Sequence, residues 1–134
     1  PLLELILAIA LLSVASMTLG LLVSSIVNTS EKTMPFLVLS VMAQVILSGG
    51  LLALPVGLAQ VAYLTPARWG FAASASTVDF NNIIPPAQFK PEWIWNHTAA
   101  SWLTDMGAQA ALALLFLIIA WWRLVRLSPG RKRR

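Results

Sequence analysis

The chain lacks cysteine and has few charged residues and a single histidine. Its 134 residues include nine Lys or Arg, five Asp or Glu, and His97. The absence of Cys excludes disulfide scaffolds, thiolate zinc sites and cysteine nucleophiles. His97 has no second ligand or nucleophile at a meaningful spacing, so we expect neither a catalytic nor a metal site in this chain.

The sequence also contains no phosphate-binding loop and no signal peptide. Without a G-x-x-x-x-G-K-[ST] motif, this chain does not cradle nucleotide phosphates by itself, and we expect no cofactor within it. The first apolar run has neither a basic n-region nor an A-x-A cleavage site. Because the numbering opens on Pro1 rather than Met, we expect the chain to start inside a longer protein.

Apolar residues dominate what is present. Hydrophobic residues make up 58% of the sequence, charged residues make up 10%, and the mean hydropathy is +0.79. A water-soluble domain of this length buries only about two thirds of its surface, which is too little to hide so many apolar side chains. The composition therefore predicts an all-α polytopic membrane protein with the lipid bilayer as its first partner.

Three apolar runs are long enough to cross the bilayer. They cover residues 5–27, 34–54 and 106–127. At 1.5 Å per residue, each predicted helix is about as long as the roughly 30 Å hydrocarbon core is thick. We expect residues 1–134 to form one part of a transmembrane domain around these spans.

Small residues recur on one face of the first span. Ser16, Gly20 and Ser24 are spaced at i, i+4 and i+8, the pattern that lets another helix backbone approach closely. This stripe predicts helix packing. Chance recurrence in a helix rich in Ala and Ser explains the pattern equally well.

Gln44 lies near the middle of the second span. A polar side chain in lipid needs a hydrogen-bonding partner. An interhelical hydrogen bond is one role that fits, and contact with a translocated molecule is the other.

Proline and glycine break the apolar stretch 55–78 into two pieces of about ten residues, each too short to span the membrane. We predict a short re-entrant helical hairpin, with Tyr63, Arg68 and Trp69 at the headgroup boundary. The polar stretch 79–105 is predicted to be an extracytoplasmic loop. Its Trp residues fit membrane-interface anchoring better than an aromatic binding platform.

The basic tail predicts the orientation. Residues 128–134 contain Arg131, Lys132, Arg133 and Arg134, directly after the last span. By the positive-inside rule, this tail is cytoplasmic and the chain is a multi-pass protein of the cell membrane. We disfavour a nucleic-acid partner, because the basic cluster follows a membrane helix.

Two short blocks and the order of the elements carry a family resemblance. The blocks are S-G-x-L-L at residues 48–52 and P-x-R-W-G-F at residues 66–71. The chain resembles the C-terminal half of the type-2 ABC exporter permeases, including the G-subfamily half-transporters. It looks most similar to actinobacterial half-transporters that carry forkhead-associated domains and an ATP-binding domain upstream.

The resemblance implies specific roles. The spans correspond to the fourth, fifth and sixth transmembrane helices of the family, and two copies enclose a central path. Val41, Gln44 and Ser48 are then candidates for the lining of the substrate path, and Leu51 and Leu52 for a hydrophobic plug at its outer end. Ordinary packing remains the alternative for the two leucines. The family uses ATP and Mg in a nucleotide-binding domain of the same or an associated chain.

Two functional hypotheses follow. The first is a transmembrane segment of an ATP-driven exporter for a lipid-like or amphipathic substrate, acting as a homodimer. The second is a membrane module that anchors or assembles other proteins without transporting anything.

Overall fold

The structure, a computed structural model, describes residues 2–85, 87 and 90–128. Within these ranges the chain is helical and contains no strand. Three helices are long: α1 (Leu2–Ile26), α2 (Ser30–Leu47) and α6 (Ala99–Leu127). Short helices lie between α2 and α6: α3 (Val56–Ala62), α4 (Pro66–Thr77), α5 (Phe80–Ile83) and a 3-10 turn (Trp93–Trp95).

These elements confirm the predicted fold class. α1, α2 and α6 are long and apolar enough to cross a membrane. The paired short helices α3 and α4 lie where the hairpin is predicted. The basic tail is outside the described residues from 129 onward, so its predicted cytoplasmic location stays a prediction.

The second long helix differs from its predicted range, 34–54. It starts at Ser30, so Pro35 lies inside the helix rather than in its first turn. The helix ends at Leu47 because Gly49 adopts a left-handed conformation, with φ of 80°. Glycine reaches this conformation without a Cβ clash and commonly terminates helices there.

The last helix begins earlier than the predicted residue 106. The helix starts at Ala99, and Thr98 is its N-cap residue. The side chain of Thr98 accepts a hydrogen bond of 3.2 Å from the backbone N–H of Ser101. Residues 99–105, predicted to belong to the outer loop, form the first two turns of α6. Asp105 therefore lies on a helix.

Small residues form the tight part of the fold, in which α1, α4 and α6 pack against one another. On α1 the buried positions Ala8 and Ala15 are seven residues apart and so share one face. Ala72 and Ala73 of α4 and Ala120 of α6 are buried as well. Short side chains let the helix backbones approach closely, which is how helices associate in lipid.

An aromatic cluster connects the 3-10 turn to α4. Trp95 is buried, and its ring lies 5.8 Å from that of Phe71 and 5.4 Å from that of Phe80, both edge-on. Trp93 is exposed. The prediction that the Trp residues anchor the chain in the membrane interface is therefore wrong for Trp95, whose side chain packs inside the protein against Ala72 and Ala75.

The small-residue stripe on α1 is separate from this tight packing. Ser16, Gly20 and Ser24 are all exposed, and nothing lies within 4 Å of where a Cβ of Gly20 would be. The buried face of α1 carries Ala15 and Thr18 instead. Whether the stripe packs against another chain stays a prediction.

We expect Ala15→Leu to destabilise the helix packing by about 1–3 kcal/mol, because three extra carbons must fit where Ala15 is fully buried. Ala10→Leu is the matched control, since Ala10 is exposed on the same helix. Thermal unfolding of the detergent-solubilised protein measures both. Equal unfolding midpoints for the two variants would show that this face of α1 is not tightly packed.

Candidate functional site

A groove of about 700 Å³ lies between α1, α2 and α4. It exists because α2 contacts α1 and α4 only sparsely, and no residue of α2 is buried. The lining is mostly apolar, and its polar side chains carry hydroxyl or amide groups rather than charges. The lining residues are Leu12, Ser16, Val41, Gln44, Val45, Ser48, Gly50, Leu51, Ala67, Gly70, Phe71 and Ser74.

Four of the five residues predicted for the substrate path line this groove. Val41, Gln44, Ser48 and Leu51 follow one face of α2 and its C-terminal turn. Leu52 is not part of the lining, and its side chain is exposed. The groove brings the predicted residues together, while their role in binding and gating stays a prediction.

The sequence analysis did not predict that α4 forms one side of the groove. Gly70, Phe71 and Ser74 face α2 from α4, although no residue of the P-x-R-W-G-F block was predicted for the substrate path. The spacing of Gly70 and Ser74 at i and i+4 places them on one helix face, which is a signal the sequence does contain. Nothing in the sequence shows that this face meets α2.

The groove continues along α1 as a narrower cavity of about 130 Å³. Ser16 and Gly20 line this part from α1, opposite Val41 and Gln44 of α2. Two members of the small-residue stripe therefore border open space. Neither residue has a side chain large enough to fill the cavity between α1 and α2 at this level.

The side chain of Ser48 forms hydrogen bonds with the backbone at the C-terminal end of α2, next to the groove. Its hydroxyl donates a 2.8 Å hydrogen bond to the carbonyl oxygen of Val45 and accepts a 3.4 Å bond from the N–H of Gly50. Helix ends leave carbonyl groups without intrahelical partners, and such bonds satisfy them. The hydroxyl of Ser48 thus stabilises the turn that carries Leu51.

Arg68 joins three parts of the chain. Its Nη1 donates a 3.3 Å hydrogen bond to the carbonyl oxygen of Ser48, and its Nη2 forms an ion pair with the carboxylate of Glu92. The side chain is 1% exposed. A buried guanidinium needs both charge pairing and hydrogen bonds, and these partners lie 20 and 24 residues away in the sequence.

The side chain of Arg68 is packed among other groups of the chain, and its predicted location at the headgroup boundary stays a prediction. The guanidinium carbon also lies 5.7 Å from the ring centroid of Tyr63 and 5.9 Å from that of Trp95. Aromatic faces attract cations at these distances. The P-x-R-W-G-F block therefore supplies a cation that is buried within the protein.

The two sequence blocks are in direct contact. A Cβ on Gly50 would lie 2.7 Å from the Phe71 ring, and one on Gly49 would overlap Nη1 of Arg68. The glycines of the first block therefore make room for the large side chains of the second. This contact lies at the end of the groove where α2 terminates.

His97 has a structural contact. Its Nδ1 lies 2.6 Å from the carbonyl oxygen of Ser76, so Nδ1 carries the proton and donates it to this bond. Among the described residues, no group of three His, Cys, Asp or Glu side chains is arranged to hold a metal ion.

Comparisons with known proteins support a transporter. No known family profile and no solved structure matches the chain. Over 126 residues, which are 92% of its length, the chain is 41% identical to an ABC transporter ATP-binding/permease protein of Mycobacterium tuberculosis. The chain is similar to part of an ABC transporter. It spans 15% of the length of that relative.

The matching region holds three apolar helices of spanning length. Together with the name of the relative, these helices support a membrane segment of a transporter.

We expect Gly49→Ala to destabilise the protein by about 1–3 kcal/mol, because its φ is positive and a Cβ displaces the Arg68 guanidinium. Gly57→Ala is the matched control, since nothing lies within 4 Å of its added Cβ and α3 is helical there. Thermal unfolding in detergent compares them. An unfolding midpoint in Gly49→Ala as high as in Gly57→Ala would rule out the close contact.

Proposed function

We propose that the chain is a transmembrane segment of an ATP-driven ABC exporter and forms part of its translocation path. The observation that carries this proposal is the uncharged groove along Val41, Gln44, Ser48 and Leu51. The similarity to an ABC transporter ATP-binding/permease protein supports it. The type-2, G-like architecture and the link to half-transporters with forkhead-associated domains belong to the same proposal.

The lining favours a lipid-like or amphipathic substrate. Leu12, Val45 and Phe71 present apolar surface, while Gln44 and Ser48 add a few hydrogen-bonding groups. Ligand sites of this kind bury apolar chains and orient them through a small number of polar contacts. A strongly charged cargo would find no counter-charge in the lining.

The groove is incomplete in a single chain, and this supports a homodimer. α2 has no buried residue, and Leu51 and Leu52 at its outer end are 64% and 62% exposed. Two copies facing each other would bring these leucines together around a two-fold axis. A ring of apolar side chains excludes water, so it would close the path until the helices tilt apart.

ATP and Mg would bind outside this segment. The chain has no phosphate-binding loop, so a nucleotide-binding domain in the same or an associated chain would supply hydrolysis. The name of the Mycobacterium tuberculosis relative combines ATP-binding and permease functions in one protein. The same arrangement is proposed for the parent of this chain.

Transport by the intact parent protein tests the groove. We expect Val41→Trp to reduce ATP-dependent movement of a fluorescent lipid in vesicles at least tenfold, because the indole fills the space beside Gln44. Ile118→Trp is the control, since Ile118 is exposed on α6 and outside the groove. Normal transport in Val41→Trp would exclude the groove from the translocation path, and no ATP-dependent transport by the wild type would favour the anchoring module instead.

Cysteine labelling in intact cells tests the orientation, because the chain has no native Cys. In a background without other cysteines, a membrane-impermeant maleimide is expected to label Lys90→Cys and to spare Glu31→Cys. Both side chains are exposed in the chain, so burial within the protein does not explain a difference in labelling between them. Labelling of Glu31→Cys alone would invert the proposed topology and place the C-terminus outside.

A further inference from the structure

A cavity of about 330 Å³ lies beside the last turns of α6. Its lining residues are Asn28, Trp122, Arg123, Arg126 and Leu127. Asn28 lies just after α1, whereas Glu4 at the start of α1 shares a different cavity with Ala99 at the start of α6. α1 and α6 are therefore parallel, and both end at the same face of the membrane. The cavity is large enough for a small polar group, because ligand sites begin at roughly 300 Å³.

The charges that line this cavity are all positive. Arg123 and Arg126 are exposed, and the lining includes no acidic residue. In the described part of the chain, neither guanidinium takes part in an ion pair. Glu31 and Lys32 follow Asn28 at the start of α2, where their charges cancel. The C-terminal end of a helix carries about half a negative charge, which two guanidinium groups exceed. The cavity therefore favours an anion.

The indole of Trp122 holds Arg126 in a position suited to such a ligand. Cζ of Arg126 lies over the ring of Trp122, 3.7 Å from its centroid, so the guanidinium stacks on the indole. A stacked guanidinium keeps the N–H groups along its edge free, and two of them match two oxygen atoms of a phosphate. Arg123 lies three residues earlier, on the same face of α6. The amide of Asn28 adds a further hydrogen-bond donor to the lining.

The depth of the cavity in the membrane follows from its aromatic neighbours. Trp121 and Trp122 are more than half exposed, near the end of an apolar helix of spanning length. Tryptophan at such a position lies at the level of the lipid headgroups, where the phosphates of phospholipids lie as well. Leu127 adds apolar surface beside the arginines. Basic pockets between membrane helices bind acidic lipid headgroups.

We propose that this cavity binds the phosphate headgroup of an anionic phospholipid. A lipid is favoured over a free phosphate, because the cavity lies at headgroup depth and combines apolar side chains with two guanidinium groups. A zwitterionic headgroup fits less well, since its own cation would lie near Arg123 and Arg126. The basic residues 131–134 follow in the sequence and attract anionic lipid to this end of α6. The inference requires only that α6 crosses the membrane, and it is independent of transport through the groove.

Titration of the intact protein with lipid, followed by native mass spectrometry, tests the proposal. The protein is kept in a neutral detergent and ammonium acetate, and phosphatidylglycerol, phosphatidylcholine or glycerol phosphate is added. We expect the first molecule of phosphatidylglycerol to bind saturably and about tenfold more tightly than phosphatidylcholine, because nothing within its headgroup offsets the phosphate charge. Glycerol phosphate carries the same phosphate without acyl chains, so it is expected to bind much more weakly.

The variants assign the binding to this cavity. Arg123→Gln and Arg126→Gln should each weaken the binding of phosphatidylglycerol about tenfold, because each removes charge-assisted hydrogen bonds. Arg126→Lys should retain only part of the affinity, since Lys keeps the charge but has no planar group to stack on Trp122. Lys32→Gln is the matched control, because it removes an exposed positive charge outside the cavity and should leave the affinity unchanged. Every variant keeps the basic tail, so the charge of the tail does not explain a difference between them.

Three results would overturn the proposal. Equal affinities for phosphatidylglycerol and phosphatidylcholine would show that the cavity does not select a negative headgroup. Losses in Arg123→Gln and Arg126→Gln no larger than the loss in Lys32→Gln would mean that the whole basic surface attracts lipid diffusely, or that these arginines contact a protein instead. Glycerol phosphate that binds as tightly as the lipid would assign the cavity to a soluble phosphate compound.

Discussion

The packing of the segments between α2 and α6 depends on one interaction, the pairing of the buried guanidinium of Arg68. Because it is excluded from solvent, its charge has to be balanced inside the protein. The balance comes from Glu92 before α6 and from the carbonyl oxygen of Ser48 after α2. One side chain of α4 therefore sets the position of two segments that are distant in the sequence. The turn at Gly49 and the outer end of the groove follow from this arrangement.

Packing divides the helices into a tight group and a loose one. α1, α4 and α6 bury small side chains against one another, whereas α2 has no buried residue. Closely packed helices resist deformation, and an element with few contacts moves more easily as a rigid body. Such a division suits a transporter, in which one helix must shift while others hold the framework.

The sequence was sufficient for the fold class and for part of the site. Long apolar runs identify three spanning helices, and the periodicity of α2 brings Val41, Gln44 and Ser48 to one face. The position at which α2 ends could not be predicted, because the apolar residues after Gly50 continue the hydrophobic pattern beyond the helix. The burial of Arg68 and Asp105 was also missed. Both depend on tertiary neighbours, and the local sequence around each resembles that of an interfacial or loop segment.

The openness of the groove along α2 determines what a ligand must displace. Val41 and Leu51 are more than half exposed, so a ligand in the groove covers apolar side chains that no other part of the described chain covers. Under the proposed function, a lipid-like cargo leaves the hydrocarbon of the bilayer for this apolar surface, so dehydration contributes little to its affinity. Discrimination between cargo and bulk lipid therefore falls to Ser16, Gln44, Ser48 and Ser74, the four side chains there that can form hydrogen bonds.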